Sequence, residues 1–93
     1  MNQSSQARLG DAESFLRHLE PLQEPLEAYC RHALHNSSDV PDVLQSAIAN
    51  AFRDFDLYAS GTNFRAWIFR YVYLEICNCN RKEARHRHAL LPE

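Results

Sequence analysis

The chain has 93 residues, 45% of them hydrophobic, with two glycines, four prolines and a formal net charge of −2. That length sets one small domain with a modest core, and so few glycines and prolines argue against a loop-rich or all-β chain. A negative total argues against tight nucleic-acid binding through bulk charge alone, and three cysteines, an odd number, argue against a closed disulfide framework and for a reducing cytoplasm.

Residues 1–10, M-N-Q-S-S-Q-A-R-L-G, are polar and are expected as a disordered tail. They carry no apolar stretch of the kind a secretory signal needs, and no apolar run in the chain approaches membrane-spanning length. Phe15, Leu19, Leu22, Leu26, Tyr29 and Ala33 then recur at alternating gaps of four and three, one face of a helix. Pro21 and Pro25 interrupt it, each removing a backbone donor and crowding the preceding turn. Two readings stay open: one kinked helix, or a short helix followed by a second with proline in its first turn. A long helix with a local distortion near residues 19–25 is the expectation.

The run His35-Asn36-Ser37-Ser38 breaks the pattern. Asp39 is placed to cap the next helix, with Pro41 in its first turn and Asp42 at the capping-box carboxylate position. Val40, Leu44, Ile48, Ala51 and Phe55 mark its apolar face, with Val43 and Phe52 beside it. Gly61 marks a stop or turn, and Thr62 or Asn63 can cap a third helix. Phe64, Trp67, Ile68, Tyr71, Val72 and Ile76 form that helix's stripe, which extends to about Arg85. Residues 89–93 read as a tail or the start of a linker. No repeat and no strand pattern competes, so the expected architecture is all-α, a three-helix bundle over residues 11–88.

Charge is unevenly placed. Residues 1–62 hold four arginines against nine acids, a sum of −5, whereas residues 63–93 hold five arginines and Lys82 against three acids, a sum of +3. One half is suited to meet an anion and the other is not; a solvated basic tail is the plainer alternative. Catalytic signatures are missing: no phosphate-binding glycine loop, no dinucleotide fingerprint, no zinc-protease motif. Cys77-x-Cys79 with His86-x-His88 is the one metal-like cluster. Helical residues two apart point about 200° apart, so these cysteines do not converge on a zinc ion, and neither metal nor cofactor is expected. His18, His32 and His35 read as surface or packing residues, and no serine or cysteine has an evident base and orienter.

Three pieces of sequence occur in order: G-D-A-E-S-F-L at 10–16, S-S-D-V-P-D-V-L-Q at 37–45 followed by A-F-R-D-F-D, and F-R-A-W-I-F-R at 64–70. Together they resemble region 2 of the extracytoplasmic-function (ECF) sigma factors, promoter-specificity subunits of bacterial RNA polymerase. The likeness spans residue 10 to about 88. The second DNA-binding domain of such factors is missing, which leaves a fragment and a natural stub both open.

The resemblance implies that the helix carrying Asp42 and Gln45 binds the clamp helices of the polymerase β′ subunit, with Asn50 and Arg53 flanking. A carboxylate and an amide on one exposed face can receive arginine and backbone donors; for Asp42 the alternative is a carboxylate favoured by the helix dipole. Ser46 stands where the family usually has glutamate. The resemblance also implies that the loop at 57–63 captures a flipped base of the promoter −10 element, through Tyr58, Ser60, Thr62 and Asn63; the alternative is a solvated turn. Along the last helix, Arg65, Arg70, Arg81, Lys82, Arg85 and Arg87 become candidates for phosphate contacts on the single strand. Trp67 matches the family's tryptophan, as core or as stacking surface. Tyr73 and Leu74 depart from the family, which has a small or basic residue and then asparagine.

The function implied is polymerase docking and −10 strand capture, by binding and not by catalysis. The implied partners are core RNA polymerase, promoter DNA and an anti-sigma factor, with no membrane. The rival readings are a helical protein-interaction module without DNA binding, and a small metal-dependent enzyme built on the Cys/His cluster.

Overall fold

The computed structural model describes the backbone of residues 3–58 and 62–90, and the side chains of 11–58 and 62–89. Four α-helices follow one another: α1 (Gln3–Leu19), α2 (Gln23–Ala33), α3 (Val40–Arg53) and α4 (Phe64–Leu90). α1 and α2 form one interrupted rod, so three rods make the bundle. Short 3-10 turns at Glu20–Leu22, Ser37–Asp39 and Phe55–Leu57 punctuate the chain.

The interruption has the expected cause. Pro21 sits at the start of the first 3-10 turn, where its missing N–H would break an α-helical bond. The backbone stays helical on either side, with Leu19 at φ −77°, ψ −36° and Gln23 at φ −59°, ψ −47°. Pro25 falls in the first turn of α2, where backbone donors lack intrahelical partners anyway. The apolar stripe therefore runs through the break: Phe15, Leu19, Leu26, Cys30 and Leu34 are all buried. Cys30 and Leu34 replace Tyr29 and Ala33 as the buried members. Tyr29 is set to the edge, where its ring meets Phe69 of α4 at 5.4 Å.

The α1 helix begins at Gln3, so helical backbone extends into the segment expected as a tail. The α4 helix continues to Leu90, beyond the expected end near Arg85. Residues 91–93 lie outside the described residues.

The core seam is α3 against α4, the most extensive pairing in the molecule. Ala47 and Ala51 are fully buried there, as are Ile68 and Val72. Two alanines let the backbones approach, so the buried face of α3 is Val40, Val43, Ala47 and Ala51. This corrects the expected stripe. Leu44 and Ile48 are only half-buried and Phe52 is exposed, because the bulkier side chains flank the close seam.

The α2–α3 connection is held from α4. The Asn80 side chain accepts from the His35 backbone N–H at 3.0 Å and donates to the Ala33 carbonyl at 3.0 Å. Asp39 occupies the N-cap position of α3 but makes no capping bond; its carboxylate accepts instead from the Cys79 thiol at 3.4 Å. The cap falls one turn earlier, where Asn36 accepts from the Ser38 backbone and hydroxyl. Burial, and secondarily that contact, pushes the Cys79 thiol up. All three cysteines are free.

Candidate functional site

The exposed side of α3 carries Asp42, Gln45, Ser46, Ala49 and Arg53. At about 100° per residue, Asp42, Gln45, Ala49 and Arg53 share one face. Arg53 lies beside Asp54, with Nε to Oδ1 at 3.4 Å. Asn50 points elsewhere: its amide donates to Glu75 of α4 at 3.1 Å. The end of α3 is tied to α4 by the Tyr71 hydroxyl, which donates to Asp54 at 2.8 Å. Burial, and then that bond, raises the Tyr71 phenol.

Beside this face lies an apolar cleft of about 460 Å³, lined by Ala12, Phe15, Leu16, Gln45, Ile48, Ala49 and Phe52. It separates α1 from α3. Leu16 is 59% exposed and Phe52 41%. Sequence reasoning missed Leu16, which lies off the core stripe of α1; its one signal is a large apolar residue at a position where periodicity expects a polar one.

At the loop expected to capture a base, Tyr58 is half-buried in an aromatic cluster. Its ring stacks on Phe55 at 5.8 Å and 7°, and meets Phe64 at 5.5 Å and Trp67 at 5.3 Å. Its hydroxyl donates to the Thr62 carbonyl at 2.7 Å. Asn63 caps α4, its side-chain oxygen accepting from the Ala66 N–H at 3.1 Å. Thr62 is exposed. Ser60 and Gly61 lie outside the described residues. Trp67 is half-buried, with Tyr71 at 4.9 Å. His18 of α1 closes the cluster, its ring 5.0 Å from Phe64 and its Nδ1 donating to the Ser14 carbonyl at 2.7 Å.

The arginines of α4 and Lys82 are all exposed, but they do not form one row. At about 100° per residue, Arg70, Arg81 and Arg85 fall within about 60° of one another. Leu74 and His88 lie among them and no Asp or Glu does, while Tyr73 is off the row by roughly a quarter turn. Arg65 lies on the other side, its guanidinium 5.0 Å from the Phe69 ring centre. Lys82 is off the row by roughly a quarter turn. Arg87 is further round and pairs with Glu83 at 3.7 Å, a contact of little energy at the surface. No carboxylate among the described residues forms an ion pair with Arg70, Arg81 or Arg85.

Among the described residues, no group of three or more His, Cys, Asp or Glu is placed to hold a metal ion, and no helix is long and apolar enough to cross a membrane. The described surface has two outward faces of different character, a mixed polar and apolar one on α3 and a cationic one on α4. No solved structure matches the chain. The family model for sigma-70 region 2 matches residues 18–86, which spans α2, α3 and most of α4. With well over half its length matched and the helical bundle that family has, the chain belongs to the sigma-70 region 2 family, a helical domain of the sigma factors of transcription initiation.

Proposed function

We propose that the chain is the region 2 domain of a sigma factor of the ECF type, working in the bacterial cytoplasm. It docks on the β′ clamp helices of core RNA polymerase through α3, and holds the single-stranded −10 element of a promoter along α4. The observation that carries this reading is the acid-free row Arg70, Arg81 and Arg85, which sits outward on a chain of net charge −2. A phosphate backbone responds to the local field, not the total. Polymerase docking is supported by Asp42 and Gln45 sharing an exposed face beside the apolar cleft. Asn50 serves that face indirectly, by fixing α3 to Glu75.

The base-capture role at the loop rests on Tyr58 and Asn63, whose hydroxyl and side-chain oxygen already have partners within the fold. Strand opening on this reading draws on polymerase contacts and base capture, with no nucleotide hydrolysis.

The test is a pull-down with bacterial core polymerase. The wild-type chain is expected to be retained, and Asp42→Arg to lose tenfold or more in affinity while its helical circular dichroism is unchanged. Unaltered retention of a folded Asp42→Arg variant would remove α3 as the docking face.

A further inference from the structure

His18 stands in the last turn of α1, just before the break at Pro21, and is exposed. The buried member of the stripe there is Phe15, whose ring meets Phe55 and Phe64 edge-on at 5.3 and 5.9 Å. The His18 imidazole reaches the same two rings at 6.5 and 5.0 Å, and meets Tyr58 as well, at 6.2 Å. Its own plane is set within α1, because Nδ1 donates to the Ser14 carbonyl at 2.7 Å. Tyr58 has Phe55 stacked parallel to it. Its contacts with His18, Phe64 and Trp67 are inclined at 69°, 90° and 46°. Among the described residues no second ring therefore stacks on Tyr58.

We propose that His18 is a positioning residue for base capture: its imidazole, oriented by the Ser14 carbonyl, holds the Tyr58 ring at the angle in which a base stacks on it. This rests on the base-capture reading above. The bond from the Tyr58 hydroxyl to the Thr62 carbonyl cannot do this alone. That hydroxyl lies on the axis about which the ring turns, so the bond fixes the tip of the side chain and leaves the ring torsion, broad by nature, free. Rotation is resisted by neighbours that meet the ring off its axis, and inclined aromatic contacts of this kind are favourable in themselves. Phe55 and Phe64 supply two of them from elements that flank the loop. His18 supplies one from α1, which ties the ring to a separate rod of the bundle. His18 thus acts through Tyr58 and not on the strand.

The experiment uses the full chain and two labelled probes of equal length at fixed pH and salt, an oligothymidine and an abasic strand carrying the same phosphates. His18→Ala is expected to weaken oligothymidine binding about fivefold, the order of one impaired base stack, and to leave the abasic strand unchanged. His18→Phe keeps the ring contacts and is expected to stay close to wild type. In a Tyr58→Leu background, which keeps apolar bulk in the cluster, His18→Ala is expected to add no further loss, because both changes remove the same stack. Trp67, the single tryptophan, reports on the cluster without DNA: its quenching by acrylamide is expected to rise in His18→Ala and not in His18→Phe. His18 is exposed, so its variants retain the fold, which circular dichroism checks. If Tyr58→Leu weakens oligothymidine selectively and His18→Ala does not, the positioning role is wrong and base capture stands. Equal weakening of both probes by His18→Ala, or a loss that adds to that of Tyr58→Leu, would place His18 on the strand itself and overturn the proposal. A His18→Phe variant as weak as His18→Ala would overturn it too. If Tyr58→Leu does not separate the two probes, base capture by Tyr58 falls and the proposal with it.

Discussion

α3 and α4 share one buried seam and turn opposite kinds of surface outward. On α3 the outer face mixes Asp42, Gln45 and Arg53 and borders an apolar cleft. On α4 the outer row holds Arg70, Arg81 and Arg85 with Leu74 and no carboxylate. The first face suits a protein, which offers charges of both signs and apolar surface. The second suits a polyanion. The difference shows why net charge misleads in so small a domain: the acids that make the total negative lie mostly before residue 63.

The most severe way to break this comparison is to remove the seam both faces depend on. Ile68 is fully buried between α3 and α4. Ile68→Ala deletes its apolar contacts and leaves a cavity, at a cost of about 2–5 kcal/mol. Because a domain of this size has few kcal/mol in reserve, polymerase and strand binding are expected to fall together as thermal unfolding moves down. Loss of one without the other would show that the faces do not share a scaffold.

A smaller effect probes the α1–α2 rod, apart from either face. Burial, helped by Glu27, pushes the Cys30 thiol up to about 11 from an ordinary value of 9.0. The folded state therefore holds a proton that the unfolded chain releases earlier. That contribution is complete below pH 9 and is lost as pH rises to about 11. The half-buried Tyr71 phenol, also raised, adds a loss of the same sign above pH 10. Chemical denaturation at a series of pH values is expected to show stability declining over that range. Cys30→Ala, compared with its own stability at pH 8, is expected to decline less steeply. An identical slope would remove Cys30 from the account.

How much of this was legible in the sequence differs between fold and site. Three helical rods, the buried members Phe64, Ile68, Val72 and Ile76 of the last stripe and the distortion at Pro21 follow from local periodicity and proline geometry, and the structure has them. What periodicity could not settle is which of two adjacent apolar positions faces the seam. Val43 and Ala47 won over Leu44 and Ile48 because close approach rewards small side chains, a property of the pair of helices and not of one. The capping residue moved from Asp39 to Asn36 for a similar reason, since Cys79 lies 40 residues along the chain and still meets the Asp39 carboxylate. At the site, Asp42 and Gln45 read correctly as exposed. The engagement of Asn50 by Glu75, the occupied groups of Tyr58 and Asn63, and the division of the α4 cations into a row and outliers all depend on tertiary placement.

The central claim is that the row Arg70, Arg81 and Arg85, and not positive charge in general, holds the single strand. It is tested most directly by measuring oligonucleotide affinity against salt for two triple variants of equal charge change. In one, Arg70, Arg81 and Arg85 become alanine; in the other, Arg65, Lys82 and Arg87 do. The expected result is that the first lowers affinity and reduces the slope of log affinity against log salt by about 2, at roughly 0.7 per phosphate contact, while the second leaves the slope close to wild type. Equal reductions in the two variants would mean that only the total charge of α4 matters, and would contradict the account.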